Sequence, residues 1–213
     1  MVSDDHTQAV ETVCPRCGHR VRMGGKSARQ WFTVFFLPIF PISGRRQFSQ
    51  CPNCGAQFAV GAAELAARVN AVEAEQNQRA IALYNSLRNS PANSVTLNDL
   101  MQMYAGMNEY DQAASAAAQF PEALNASEQC MSTLGRVYLA QDRHAEAIQW
   151  FDAALARNPQ LGEASYYKAV ALMTAPSADP EAAVAAARQA RNAGYPRADE
   201  LLREAEKRRG QAG

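Results

Sequence analysis

The chain has 213 residues, of which 47% are hydrophobic and 20% are charged, and its 21 Lys and Arg are balanced by 21 Asp and Glu. That length is sufficient for one or two ordinary domains with a substantial core. A net charge of zero argues against a general nucleic-acid binder, although residues 1–60 carry seven basic and only three acidic side chains.

The first residues contain no basic segment followed by an apolar segment, so we expect no secretory signal. No run of 18 apolar residues occurs, and we therefore expect no transmembrane helix. A cytoplasmic, reducing compartment is the resulting expectation. Paired cysteines in such a compartment bind metal more often than they form disulfides.

Four of the five cysteines lie in two short motifs, "CPRCG" at 14–18 and "CPNCG" at 51–55. Proline after the first cysteine presets φ, and glycine after the second permits the positive φ that closes the turn. Two such turns bring four thiolates to the corners of a tetrahedron about 2.3 Å from a central ion. The motifs predict a structural Zn²⁺ site whose ligands are Cys14, Cys17, Cys51 and Cys54. Iron in a site of four cysteines remains chemically open.

The apolar stretch "WFTVFFLPIFPIS" at 31–43 lies between the two cysteine motifs. Around it, "CGHRVRM", "ARQWFTVFF", "GRRQFSQC" and "AQFAV" predict four strands of a small antiparallel sheet. Paired CPxCG motifs that enclose W-F-T-x-F-F-x-P-x-F-P resemble a family of zinc-ribbon proteins. The resemblance implies a zinc-binding fold and no established reaction.

The same stretch leaves one question open. Consecutive residues such as Phe35 and Phe36 point to opposite faces of a strand, so one face can fill the ribbon and the other must meet something else. The candidates are the helix that begins at 62, a second copy of the chain, or a membrane surface. A membrane-associated zinc domain is the rival family, but Pro38, Pro41 and Gln50 depart from its pattern.

Residues after Gly61 are rich in alanine and have a helical pattern. Within 127–160, seven residues resemble the consensus positions of the tetratricopeptide repeat (TPR), in which small residues let two helices approach closely. These residues are Leu134, Gly135, Tyr138, Ala147, Phe151, Ala154 and Pro159. Echoes of the pattern 34 residues away predict three repeats, at 94–127, 128–161 and 162–195.

The resemblance to TPR arrays implies a concave groove, lined by the first helix of each repeat, that binds a protein or peptide. It places the following side chains in that groove: Asn98, Gln102, Ser132, Arg136 and Tyr166. No nucleophile–base pair or phosphate-binding loop stands out, so we expect no enzyme. The expected function is a non-catalytic adaptor or scaffold. A nucleic-acid-binding ribbon and a ribbon that attaches to a membrane surface through 31–43 are the alternatives.

The predicted fold is mostly α, a solenoid of TPR helical hairpins with a small N-terminal antiparallel β zinc ribbon. The expected domains are the zinc ribbon at 1–60, a connecting helix or degenerate repeat at 61–93, three repeats at 94–195, and a capping helix and tail at 196–213.

Overall fold

The computed structural model describes residues 2–4, 9–28, 31–34, 37–41, 46–176 and 179–212. Of residues 2–4, 27–28, 31–34, 37–41, 46 and 212 it describes the backbone alone. The chain divides into two compact units, Met1–Gln78 and Arg79–Gly213. The fold of mostly helices with small N-terminal antiparallel sheets agrees with the predicted fold class.

The described strands of the first unit pair antiparallel in three small sheets. They are β1 (Val2–Asp4), β2 (Val10–Val13), β3 (Arg20–Met23), β4 (Gly25–Ala28), β5 (Trp31–Val34), β6 (Leu37–Pro41), β7 (Arg46–Gln50) and β8 (Gln57–Phe58). One sheet has the order β1-β4-β7-β8, and the others are the pairs β2-β3 and β5-β6. Both cysteine motifs follow a strand directly, the first after β2 and the second after β7.

The apolar stretch between the motifs forms its own hairpin, β5–β6, rather than the single strand that "ARQWFTVFF" predicts. Phe32 lies opposite Phe40, and the register shifts between Phe32 and Thr33. Pro38 and Pro41 lie in β6, and each strand of a two-stranded sheet has an unpaired edge, the place where proline is tolerated in sheets. The structure does not describe the side chains of 31–43. The question of what covers the second face of this stretch therefore lies outside the described residues.

Among the described side chains of the first unit, the buried core is centred on the cysteine motifs. Its fully or nearly buried members are Cys14, Met23, Cys51, Ala56, Ala62 and Leu65. Two of these six are cysteines and two are alanines, which offer little apolar area to bury. A metal bound by the cysteines would add stability to this core.

Helix α1 (Ala62–Asn89) is one continuous helix of 28 residues. The sequence pattern alone does not distinguish one long helix from two in this region. At its start, Ala62 and Leu65 are buried in the cysteine-centred core. Near its end, Ala80 and Leu87 are buried in a core of the second unit. Residues 70–79 between these ends are exposed on every side.

The second unit consists of helices joined by short turns. They are α2 (Ser94–Gly106), α3 (Tyr110–Gln119), α4 (Pro121–Ala126), α5 (Glu128–Ala140), α6 (His144–Arg157), α7 (Gly162–Thr174), α8 (Pro180–Asn192) and α9 (Ala198–Ala212). Helices α2, α5 and α7 begin thirty-four residues apart, the length of one TPR. In the turns that follow α2 and α5, Asn108 and Asp142 both adopt positive φ, which Asn and Asp tolerate better than other side chains.

Close packing of α5 against α6 depends on a glycine. A Cβ atom on Gly135 would lie 2.6 Å from the ring of Phe151, which is itself fully buried. Ala147 and Ala154 of α6 are fully buried as well. Small residues at these positions allow the two helices to approach closely, as the TPR pattern predicts.

Helix α9 closes the end of the helical unit. Its Leu202 and Ala205 are buried with Leu172 of α7 and Val184 of α8. The rest of its surface is polar, with Arg208 bonded to Glu204 and Arg188 bonded to Glu206. Within the described part of the chain, no helix has the length and apolar character needed to cross a bilayer.

Candidate metal centre and repeat groove

The two cysteine motifs form matching turns. In the first, the N–H of Gly18 donates to the carbonyl of Cys14 at 2.9 Å, and in the second the N–H of Gly55 donates to the carbonyl of Cys51 at 3.0 Å. Gly18 has φ +68° and Gly55 has φ +72°, values that side chains other than glycine rarely adopt. Each turn therefore requires the glycine that follows its second cysteine.

The four sulfur atoms surround a common centre. Cys14 Sγ lies 3.8 Å from Cys54 Sγ, Cys17 Sγ lies 3.9 Å from Cys51 Sγ, and all four sulfurs lie within 4.8 Å of one another. A tetrahedron of thiolates about 2.3 Å from a zinc ion has sulfur–sulfur separations of about 3.8 Å. A disulfide would need about 2.05 Å. The arrangement therefore fits Zn²⁺ and not a pair of disulfides.

The local electrostatics favour thiolates at some of these positions. The backbone N–H of His19, aided by the side chain of Asn53, lowers the pKa of Cys17 to about 6. The backbone N–H of Cys54 likewise lowers the pKa of Cys51. The N–H of Ala56 favours a thiolate at Cys54, but burial and the neighbouring sulfurs outweigh it and raise the pKa of Cys54 to about 11. Four thiolates this close need a cation between them, and Zn²⁺ supplies it.

Two side chains near the sulfurs are not ligands. Asn53 donates from Nδ2 to Cys17 Sγ at 3.6 Å, and this bond joins the second turn to the first. His19 is exposed and donates from Nδ1 to the carbonyl of Cys17 at 2.8 Å. Four cysteines complete a closed coordination shell, which is typical of structural zinc and leaves no position for a substrate.

The second unit has a pocket of about 460 Å³ against helices α2, α5 and α7. Its walls combine apolar and aromatic side chains with a few polar groups. They are Gln102, Ala105, Gly106, Tyr110, Thr133, Arg136, Val137, Leu139, Ala140 and Tyr167. Volumes of this order accommodate a small ligand or one or two side chains of a peptide.

The five groove residues expected from the sequence lie in different surroundings. Gln102 and Arg136 line the pocket. Asn98 is half-buried and accepts a hydrogen bond from Thr133 at 2.7 Å. Ser132 has no exposed surface, and Tyr166 packs against Tyr195, with ring centroids 5.0 Å apart. The pocket therefore brings together two of the five.

Arg136 is the charged group of the pocket. Its Nη1 donates to Glu163 Oε1 at 2.8 Å, and its guanidinium lies 5.0 Å from the centroid of the Tyr167 ring. The Tyr167 ring in turn stacks on Phe151, with centroids 6.4 Å apart. Because Phe151 is fully buried, these contacts connect Tyr167 and Arg136 to the core of the helical unit.

The sequence expectation missed Tyr167, Tyr110 and Val137. Tyr167 directly follows Tyr166, and one residue corresponds to a rotation of about 100° around a helix. A groove assignment from repeat positions therefore depends on the exact rotation of α7. The available signal was the tyrosine pair itself, of which Tyr167 lines the pocket and Tyr166 contacts Tyr195.

Comparisons with known proteins agree with both regions. Residues 12–89 match the model of a zinc-ribbon family. Two solved structures, entitled "Crystal structure of MamA" and "Crystal structure of MamA protein", each superpose with a TM-score of 0.56 at 20% identity. Both cover 65% of this chain, and the matches cover 81% and 76% of those chains. No curated protein matches.

The fold and the site together define the class. An identity of 20% shows the fold alone, and that fold is TPR-like. The chain is a zinc ribbon joined to TPR-like helical repeats. Its cysteine centre holds structural zinc, and the two kinds of module indicate a protein-interaction scaffold in general terms.

Proposed function

We propose that this protein is a non-catalytic adaptor whose helical repeats bind a segment of a partner protein while the zinc ribbon forms a metal-stabilised head. The observation that carries the proposal is the pocket at Arg136 and Tyr167. It is lined by side chains of α2, α5 and α7 and by Tyr110 of α3, and the Tyr167 ring stacks on buried Phe151. A preformed surface binds with a smaller entropic cost than one that must order on contact.

The groove at the centre of this proposal is built from Gln102, Arg136 and Tyr167. Its chemistry is mixed, with apolar walls and a few polar groups, as in sites that orient a ligand through a small number of hydrogen bonds. Asn98 accepts a hydrogen bond from Thr133, which lines the pocket. Ser132 and Tyr166 contribute to packing in this proposal rather than to recognition.

The zinc ribbon contributes stability in this proposal and takes no part in chemistry. Within the described residues, the one cluster suited to hold a metal is that of the four cysteines, and its shell is closed. Paired cysteines that bind metal are typical of a reducing compartment, so this proposal places the protein in the cytoplasm.

Site-specific photo-crosslinking tests the groove. A photoreactive phenylalanine analogue is placed at Gln102 in the pocket and, as a matched control, at exposed Gln160 between α6 and α7. We expect a crosslinked partner from Gln102 only, and its loss when Arg136→Glu is added. Equal crosslinking from both positions, or none from Gln102, would argue against the groove.

A nucleic-acid-binding ribbon is the second candidate, because Arg16, Arg20 and Arg22 are all exposed. Glu11 lies opposite Arg22 across the β2–β3 ladder and offsets part of that charge. A mobility-shift assay at two salt concentrations tests it, since phosphate contacts weaken steeply with salt.

Membrane attachment through 31–43 is tested by flotation with liposomes, and protein that remains at the bottom of the gradient excludes it.

A further inference from the structure

The charge and shape of the pocket point to a particular class of partner segment. Among the described residues that line the pocket, Arg136 is the one basic side chain and none carries a carboxylate. Tyr110, Leu139 and Tyr167 line it with partly exposed aromatic or apolar side chains. A ligand that satisfies both features carries a negative group beside a large apolar side chain.

Arg136 retains hydrogen-bonding capacity towards such a ligand. A guanidinium has five N–H donors, and the described residues supply one acceptor, Glu163 Oε1 on Nη1. The side chain is 41% exposed, so its other donors can be reached from solvent. Its position over the Tyr167 ring holds the guanidinium in a fixed orientation. Arginine presented in this way binds a carboxylate with two parallel hydrogen bonds.

Glu163 sets a limit on that interaction. Its side chain is 32% exposed, and its carboxylate already neutralises part of the charge on Arg136. An incoming carboxylate must therefore share Arg136 with Glu163 and meets some repulsion from it. Because of this competition, removal of the Glu163 carboxylate should raise the affinity for an acidic ligand, whereas removal of Arg136 should lower it.

On the basis of the proposed function, we propose that the pocket binds a peptide segment in which an aromatic or large aliphatic side chain adjoins an acidic residue. The apolar side chain packs between Tyr110 and Tyr167, and the carboxylate accepts hydrogen bonds from Arg136. One arginine provides one carboxylate site, so a second acidic residue in the segment is not required.

The test uses the intact chain, with zinc bound, and random twelve-residue peptides displayed on phage. The peptide with the highest affinity is then synthesised, and its dissociation constant is measured by fluorescence polarisation. We expect the selected peptides to share an apolar–acidic pair. Replacing the acidic residue by its amide, or the apolar residue by alanine, should weaken binding about tenfold or more.

Protein variants give the sharper test. Arg136→Met should weaken binding of the same peptide about tenfold to a hundredfold, because a charged hydrogen-bond donor is lost. Glu163→Gln should tighten binding about twofold to fivefold, the range expected for an exposed ion pair. A gain in affinity cannot result from misfolding, so this variant keeps the test valid if Arg136→Met is destabilised.

The chain contains a matched control pair outside the pocket. Arg143 lies 4.4 Å from the centroid of the Tyr138 ring and pairs with Glu146 at 2.9 Å, the same two contacts that Arg136 makes. Arg143→Met and Glu146→Gln should leave the dissociation constant unchanged.

Selection of basic peptides, failure to select any peptide, or equal binding by Arg136→Met would overturn this inference. Crosslinking at Gln102 that persists in any of these cases would leave the proposed function intact.

Discussion

The two units of this protein reach stability by different means. Among its described side chains, the ribbon buries alanine, methionine and leucine around its cysteine motifs. The helical unit buries leucine, methionine and phenylalanine in three clusters that follow one another along its helices. The first unit depends on an ion to bring its strands together, and the second depends on the fit between helices. A single substitution or reagent should therefore damage one unit and spare the other.

Helix α1 illustrates the contrast within one element. Its first turns are buried against the cysteine centre, and its last turns are buried in the helical core. Nothing is buried between residues 70 and 79. The two ends of the same helix are thus stabilised by different cores, and they should respond separately when one core is lost.

Removal of zinc should have the largest effect. Structural zinc contributes about 10–16 kcal/mol of apparent binding free energy in small domains, so a chelator should unfold the ribbon. Hydrogen exchange followed by mass spectrometry should show loss of amide protection over 12–58 and over the first two turns of α1. Protection in α5 and α6 should remain, and metal analysis before chelation should give one zinc ion per chain.

Cysteine substitutions provide the control for that experiment. Cys51→Ser should reproduce the effect of the chelator. Cys130→Ser should not, because Cys130 lies in the helical unit and donates to the carbonyl of Ser94 at 3.1 Å, a bond that serine can also make. Protection that is retained over 12–58 after chelation, or lost from α5 and α6, would contradict the division of stability between the two units.

Gly135→Ala should destabilise the helical unit and leave the ribbon unaffected. The added Cβ would lie 2.6 Å from the Phe151 ring, which has no exposed surface and little freedom to move. Overpacking of this kind costs about 1–3 kcal/mol, although alanine is the better helix former by about 1 kcal/mol. Urea denaturation followed by circular dichroism measures the change, and zinc content should be normal.

Two variants show whether the clash is the cause. Gly106→Ala adds a methyl group to α2 where nothing lies within 4 Å, so it should not destabilise the unit. Gly135→Ala combined with Phe151→Leu should be more stable than the sum of the single effects predicts, since leucine leaves space for the new methyl group. Simple additivity of the two changes would disprove the clash.

Features that depend on one residue type at one spacing were predictable from the sequence. The cysteine centre follows from its two motifs, because only such a turn brings paired thiolates to one point. The close contact at Gly135 follows from small residues that recur at TPR positions. Each of these features is set by a local pattern whose physical requirement has few alternatives.

Features that depend on rotation or pairing were less predictable. Tyr166 and Tyr167 are indistinguishable by composition, and the rotation of α7 decides that Tyr167 lines the pocket. The hairpin β5–β6 includes two prolines, which lower the strand propensity of its second strand, so the pairing is not evident from the sequence pattern. The burial of Ser132 similarly follows from how α5 packs against its neighbours, which no pattern within α5 records.

Asn53→Ala should weaken metal retention by the ribbon without unfolding it. Asn53 donates to Cys17 Sγ at 3.6 Å, and partners of this kind contribute about tenfold to a hundredfold in metal affinity. We expect a value near tenfold, because Asn53 is exposed and water can replace part of the bond. Competition with a chromogenic chelator measures the affinity. Arg16→Ala, at the equivalent position of the first motif, should have no such effect, and a matching loss there would assign the change to general destabilisation.

Asn93→Ala should have the smallest effect and should be confined to the start of α2. The Asn93 side chain caps the helix by accepting a hydrogen bond from the N–H of Thr96 at 3.1 Å. Loss of such a cap costs roughly 1 kcal/mol. Asn93→Asp keeps an acceptor at the same place and should retain nearly full stability in urea denaturation. The ribbon gains nothing from this cap, so zinc affinity should be unchanged in both variants, and a shift in zinc affinity would show that the two units share their stability after all.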